Sequence, residues 1–207
     1  MDGSMAEVRR LMTGQPLGVL CTAQPDGQPY TSLVAVVAGE DLGQVAFATL
    51  RATRKFENIS SEPRVALLLD DRANQPSDLL QAATVTVLGR TRELEGSDRD
   101  RWTMALLSKH APLGDFLRSP DCAVVVIEVD RLLLVTEFQR VIELMVRGGA
   151  LERATRRPDD RPGTPNRLGV LCRIPLSGRH RGRRIRGPLH RAGARSCSFG
   201  VALRAHE

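Results

Sequence analysis

The densest cluster of groups able to do chemistry is Phe47-Ala48-Thr49-Leu50-Arg51-Ala52-Thr53-Arg54-Lys55-Phe56-Glu57-Asn58-Ile59. Thr53 suits the N-cap of a short helix running toward Ser60, which places Arg54 and Lys55 in the first turn. Cations there oppose the helix dipole by about 0.3–1 kcal/mol each. The arrangement makes sense if an anion sits at the helix end. Backbone N–H groups, the hydroxyls of Thr49 and Thr53, and the cations of Arg51, Arg54 and Lys55 would then converge on it. A phosphate fits this best. The competing reading is a solvated basic turn that pairs with Glu57 and Asp70.

The other chemistry-bearing residues are more scattered. Cys21 and Cys122 fall in apolar runs and are expected to be small core residues rather than nucleophiles. His110 ends a helix, where capping the dipole competes with a catalytic or haem-ligand role. Arg72-Ala73-Asn74-Gln75 is a polar loop, either the rim of a ligand pocket or a plain turn, and Asp98 to Arg101 reads as a solvated helix face. The four cysteines, 21, 122, 172 and 197, form no CxxC pair with metal or redox spacing. GxGxxG and the phosphate loop GxxxxGK[ST] are both absent from the sequence.

The elements that must position the Thr49–Lys55 cluster can be read from hydrophobic period and turn chemistry. Residues 5–12 predict a short amphipathic helix stopped by Gly14 and Pro16. Leu17–Ala23 and Tyr30–Ala38 predict two strands joined through Asp26-Gly27 as a hairpin. Gln44–Leu50, Arg64–Asp70 and Ala83–Leu94 predict three more, the last alternating Val85 and Val87 against Thr84 and Thr86. Ser97 is expected to open a helix to His110 with Trp102, Leu106 and Leu107 on one face. Cys122–Val129 and Leu132–Phe138 are expected as two closing strands. Six or seven strands in hairpin-like succession, with only short helices between them, point to a mainly β antiparallel barrel or sandwich rather than βαβ winding.

The chain has 207 residues with 42% hydrophobic content, enough for a real core. Its apolar runs are far too short for a membrane-spanning helix. The pI of about 9.9 would suggest a polyanionic partner if the charge were evenly spread. Residues 1–146, however, carry a net −5, and residues 147–207 a net +11. All 15 basic residues of that tail are Arg, amid Gly, Ala and Pro. Three readings of 147–207 stay open: a disordered solvated tail, a nucleic-acid arm acting by counterion release, or the product of an altered reading frame in a GC-rich gene. Arg9-Arg10 faintly resembles an export signal, but Gly14-Gln15-Pro16 interrupts it, so a cytoplasmic protein is expected.

The stretch FATLRATRKFENI resembles the phosphate-binding signature of the pyridoxamine 5'-phosphate oxidase-like flavoproteins. Three further stretches stand in that family's order: Gln28–Val34, Glu62–Leu68 and Val85–Glu93. The resemblance covers roughly residues 11–146 and implies a split β-barrel that binds FMN at a homodimer interface. It assigns Arg54 and Lys55 to the FMN phosphate, Thr49 and Thr53 as hydroxyl donors, and Arg51 near them. It lays Ser32, Leu33 and Val34 along the flavin ring and brings Thr84 toward the cofactor. The Trp-, Arg- and His-rich C-terminal segment of the true oxidases has no counterpart, since the one Trp is Trp102. The implied activity is therefore hydride transfer between FMN and an unassigned small substrate. The alternative is a module that holds flavin, deazaflavin or haem without turnover. No membrane partner is implied, and nucleic acid is expected to be met only nonspecifically, through the tail.

Overall fold

A computed structural model describes residues 3–137, 140–147 and 150–153. Helix α1 (Gly3–Gly14) precedes strands β1 (Leu17–Ala23), β2 (Pro29–Ala38) and β3 (Gln44–Leu50). Helix α2 (Arg54–Ser61) leads into β4 (Arg64–Asp70), and α3 (Asp78–Gln81) into β5 (Thr84–Glu93). Helices α4 (Gly96–Lys109) and α5 (Gly114–Arg118) come before β6 (Cys122–Thr136), β7 (Arg140–Arg147) and β8 (Ala150–Arg153). The sheet order is β3-β2-β1-β4-β5-β6-β7-β8, every pairing is antiparallel, and β3 also pairs with β6. That last ladder, Gln44↔Glu128 through Leu50↔Cys122, closes β1–β6 into a six-stranded barrel, as expected for a split barrel.

The alternation of each strand decides what lies inside. Leu20, Val36, Phe47, Leu67, Leu69, Val85 and Val87 fill the barrel, and α1 plugs one end with Val8, Leu11 and Met12, all fully buried. The outer face of β3 and the first half of β6 is also covered. Ala46, Val124 and Val126 pack there against Trp102 and Leu106 of α4 and Leu117 of α5. Burial on both faces explains the unbroken apolar run from Cys122 to Ile127. The hairpin turn is as expected: Gly27 takes φ 85°, and Asp26 accepts the amide of Gln28 at 3.0 Å.

Three expectations need correction. The segment predicted as two closing strands is one, Cys122–Thr136, because a bulge absorbs the charged interruption: Gly89 faces Val129 and Leu88 faces Arg131, leaving Asp130 over. Helix α4 starts at Gly96 with Glu95 at the N-cap and no side-chain cap, so Ser97 lies inside it. The ladder also continues past residue 146, since β7 runs to Arg147 and pairs with β8 at Ala150–Arg153. The remainder of the expected tail lies outside the described residues. No helix among the described residues is long and apolar enough to cross a membrane.

Candidate functional site

At the end of β3 the chain turns through Thr53, whose amide donates to Leu50 O at 3.1 Å, and enters α2. Thr53 does occupy the N-cap, with φ −93° and ψ 149°, but its hydroxyl makes no capping bond. It donates instead to Leu50 O at 2.7 Å and lies 2.9 Å from the hydroxyl of Thr49, which is 2% exposed. The first turn of α2 is thus left without a side-chain cap at the end where its amides and dipole favour an anion. Arg54 is exposed, with its guanidinium 3.2 Å from Gln24 Oε1. Lys55 is half-buried and has no ion-pair partner among the described residues.

Arg51 differs from its neighbours. Its guanidinium donates to Pro120 O at 2.8 Å and to Glu93 Oε1 at 2.5 Å, which turns it toward β5 and the approach to β6. The competing picture of a basic turn paired with Glu57 and Asp70 does not hold among the described residues. Asp70 is taken by Arg72 at 3.0 Å, and no ion pair joins Glu57 to Arg54 or Lys55.

Strand β2 supplies the second wall. It pairs with β1 along Pro29–Ala35 but with β3 only from Val36, so the barrel is split beside residues 29–35. The amide of Val36 donates toward Pro16 O at 3.1 Å. By antiparallel alternation, Thr31, Leu33 and Ala35 therefore present their backbone groups to the open edge. Val34 points into the core at 5% exposure, and Leu33 stands 62% exposed on the outer face. The Ser32 hydroxyl is buried with no hydrogen-bond partner among the described residues, an orphaned polar group of the kind that marks a place for something further.

Thr84 opens β5 opposite Asp70, while α2 leads into the other end of β4 at Arg64. The length of β4, about 20 Å at a strand's rise, separates Thr84 from the α2 cations. A shallow pocket of about 280 Å³ is lined by Leu17, Val19, Leu33, Leu68, Asp70 and Arg72 among others. It takes in Leu33 and the strand partner of Thr84, and the polar loop reads as its rim, since Asn74 also lines it.

The remaining candidates are structural. Cys122 is fully buried, and burial pushes its thiol up, away from the nucleophilic thiolate. His110 Nε2 lies 2.9 Å from Val36 O, tying the end of α4 to β2. One pair escaped sequence reasoning: Asn58, 1% exposed, donates from Nδ2 to the Thr22 hydroxyl at 2.9 Å. The available signal was an amide lying between Phe56 and Ile59 on the apolar side of α2.

Residues 4–136 match the family described as pyridoxamine 5'-phosphate oxidase, which is more than half of the chain. The chain belongs to the pyridoxamine 5'-phosphate oxidase family. No curated protein matches it. Among solved structures, this family member resembles a heme binding protein from Mycobacterium smegmatis, with TM-score 0.62 and 22% identity over 70% of this chain and 59% of that one. It resembles Campylobacter jejuni ChuZ with TM-score 0.63 and 16% identity, over 74% of this chain and 63% of that one. General Stress Protein 26 from Bacillus anthracis gives TM-score 0.52 and 19% identity, over 68% of this chain and 97% of that one. The pyridoxamine 5'-phosphate oxidase family member thus spans less than two thirds of the first two relatives. At these identities the likeness is one of fold.

Proposed function

We propose that this protein binds FMN at the split between β2 and α2, with the phosphate at the first turn of α2 and the ring along the β2 edge. The reading is supported by an uncapped helix start bearing Arg54 and Lys55, reached from β3 just after β3 parts from β2, whose open edge at Thr31–Ala35 has no strand partner among the described residues. Thr49 and Thr53 would orient the phosphate, and the backbone of Leu33 would meet the polar edge of the ring. The buried, unpartnered hydroxyl of Ser32 fits a site that a polar ligand completes. Arg51, already committed to Glu93 and Pro120, would shape the turn rather than grip the ligand. When bound, FMN supplies hydride exchange at its ring, and the protein supplies position and exclusion of water.

A homodimer belongs to the same proposal, because Leu17 and Leu33 are 47% and 62% exposed beside the outer-face pocket, where a second copy would cover them. The test is direct. Full-length protein incubated with FMN and desalted should be yellow, retain about one FMN per subunit, and sediment as a dimer. Colourless protein of unchanged mass would reject both parts. Turnover is a finer step: anaerobic bleaching of the bound flavin by NADH or NADPH supports an oxidoreductase, and failure with every donor leaves a binding module.

Likeness to the Mycobacterium smegmatis heme binding protein favours a second reading, haem held on the same fold. Against it, the one histidine among the described residues, His110, is engaged with Val36 O. A Soret band on haem titration that FMN does not displace would decide for haem. A deazaflavin would share the phosphate site and differ in its absorbance.

A further inference from the structure

An eight-residue helix is marginal by itself, so the direction in which α2 presents its first turn is set by what holds it. Ile59 and Phe56 anchor one face of the helix in the core. Two side-chain hydrogen bonds add a further constraint. Asn58 Nδ2 donates to Thr22 Oγ1 at 2.9 Å, between residues 1% and 2% exposed, and Arg54 donates to Gln24 Oε1 at 3.2 Å. Arg54 and Asn58 stand four residues apart on α2 and so share one face. Thr22 and Gln24 stand two apart where β1 runs into its hairpin. The two bonds run side by side from one helix face to one strand end. A buried amide left unpaired there would be costly, so the inner bond is strongly favoured.

We infer that Thr22, Gln24 and Asn58 are positioning residues, a two-point clamp that aims the first turn of α2 at the β2 edge and so sets the preference for a phosphate-bearing ligand. The inference rests on the phosphate reading of α2. Arg54 is held by Gln24, and Lys55 is carried beside it with no side-chain hydrogen bond or ion pair among the described residues. Neither Thr22 nor Asn58 would touch the ligand. Their effect passes through the helix.

The experiment compares FMN and riboflavin affinities, by quenching of flavin fluorescence, in full-length variants. Thr22→Val with Asn58→Leu replaces both members of the buried bond by apolar groups of similar shape, which keeps the cost to folding small. Gln24→Ala, at the surface, releases Arg54 with no change inside the core. Both variants should weaken FMN about tenfold and riboflavin less than about twofold, since misaiming the cations affects only the phosphate. Equal losses for the two flavins, or none, would overturn the clamp. Arg54→Ala with Lys55→Ala separates the two failures. If that variant discriminates FMN from riboflavin and the clamp variants do not, the clamp is wrong and the phosphate reading stands. If it does not discriminate, the phosphate reading falls and takes the clamp with it.

Discussion

Arg51, Arg54 and Lys55 lie within five positions of one another, yet among the described residues one closes an internal ion pair, one leans on a neutral amide and one stands unpaired. Their types and the hydroxyls of Thr49 and Thr53 were legible in the sequence. Their division of labour was not, because the partners of Arg51 lie 42 and 69 residues away, and only the closed barrel brings them near. Two predictions follow that division. Arg51→Ala should lower stability by about 1 kcal/mol in urea unfolding, as for a half-exposed pair with an added carbonyl, and leave the ratio of FMN to riboflavin affinity unchanged. Arg54→Ala with Lys55→Ala should do the reverse, weakening FMN at least about tenfold against riboflavin at nearly constant melting temperature. A swapped pattern would put the phosphate at Arg51.

Strand β6 illustrates what patterning can and cannot reveal about an element. Glu128, Asp130 and Arg131 break an apolar run, so the sequence suggests a turn where the structure has a bulge. A bulge keeps the ladder going with one residue left over, and only the register of the neighbouring strand tells the two apart. Gly89 is the neighbour that permits it: a Cβ there would lie 2.1 Å from Glu128 O. Backbone cannot retreat as a flexible side chain can. Gly89→Ala should therefore cost about 1–3 kcal/mol, read as a lower midpoint of urea denaturation, and a neutral result would mean that the bulge moves freely. Gly18 is the milder case: a Cβ there would meet the side-chain ends of Leu69 and Leu67 at 2.7 and 2.8 Å, and its nearest backbone neighbour, Leu68 O, only at 3.2 Å. Strands β1, β3 and β4 were placed to the residue because each is a short run bounded by turn residues.

For the molecule as a whole, α1 is the stopper of the barrel, tied down at its rim as well as by its apolar face. Arg10 bonds Glu7 at 2.6 Å and also Asp71, and Asp71 accepts the amide of Ala83 at 2.8 Å. The hydrogen bond from Arg10 holds the Glu7 carboxyl below its ordinary range. Burial pushes Asp71 up, but the Ala83 amide and Arg10 outweigh it, so it too is held low. Carboxyls lowered by folding add stability that is fully present above their unfolded pKa of about 4 and is lost as the pH falls through the folded values. Arg10→Ala should thus cost about 1 kcal/mol at pH 7, and the gap to the parent protein should narrow as the pH falls below about 4. A gap that does not narrow on acidification would assign the loss to packing. Beyond β7, Leu151 of β8 packs against the core, so chains ending at residues 149 and 153 should differ. The shorter should melt lower, and the longer should match the full chain if the Arg-rich tail adds nothing to the fold. The closure of the barrel also bears on how fast this chain can fold. Hairpins β1–β2 and β4–β5 unite neighbours, whereas β3 must find β6 across an intervening chain that runs from Leu50 to Cys122 at the nearest pair. Contacts of such sequence separation form late, because the entropy of the loop is lost before the ladder compensates for it. The β3–β6 seam should be the last to assemble and the step that sets the refolding rate.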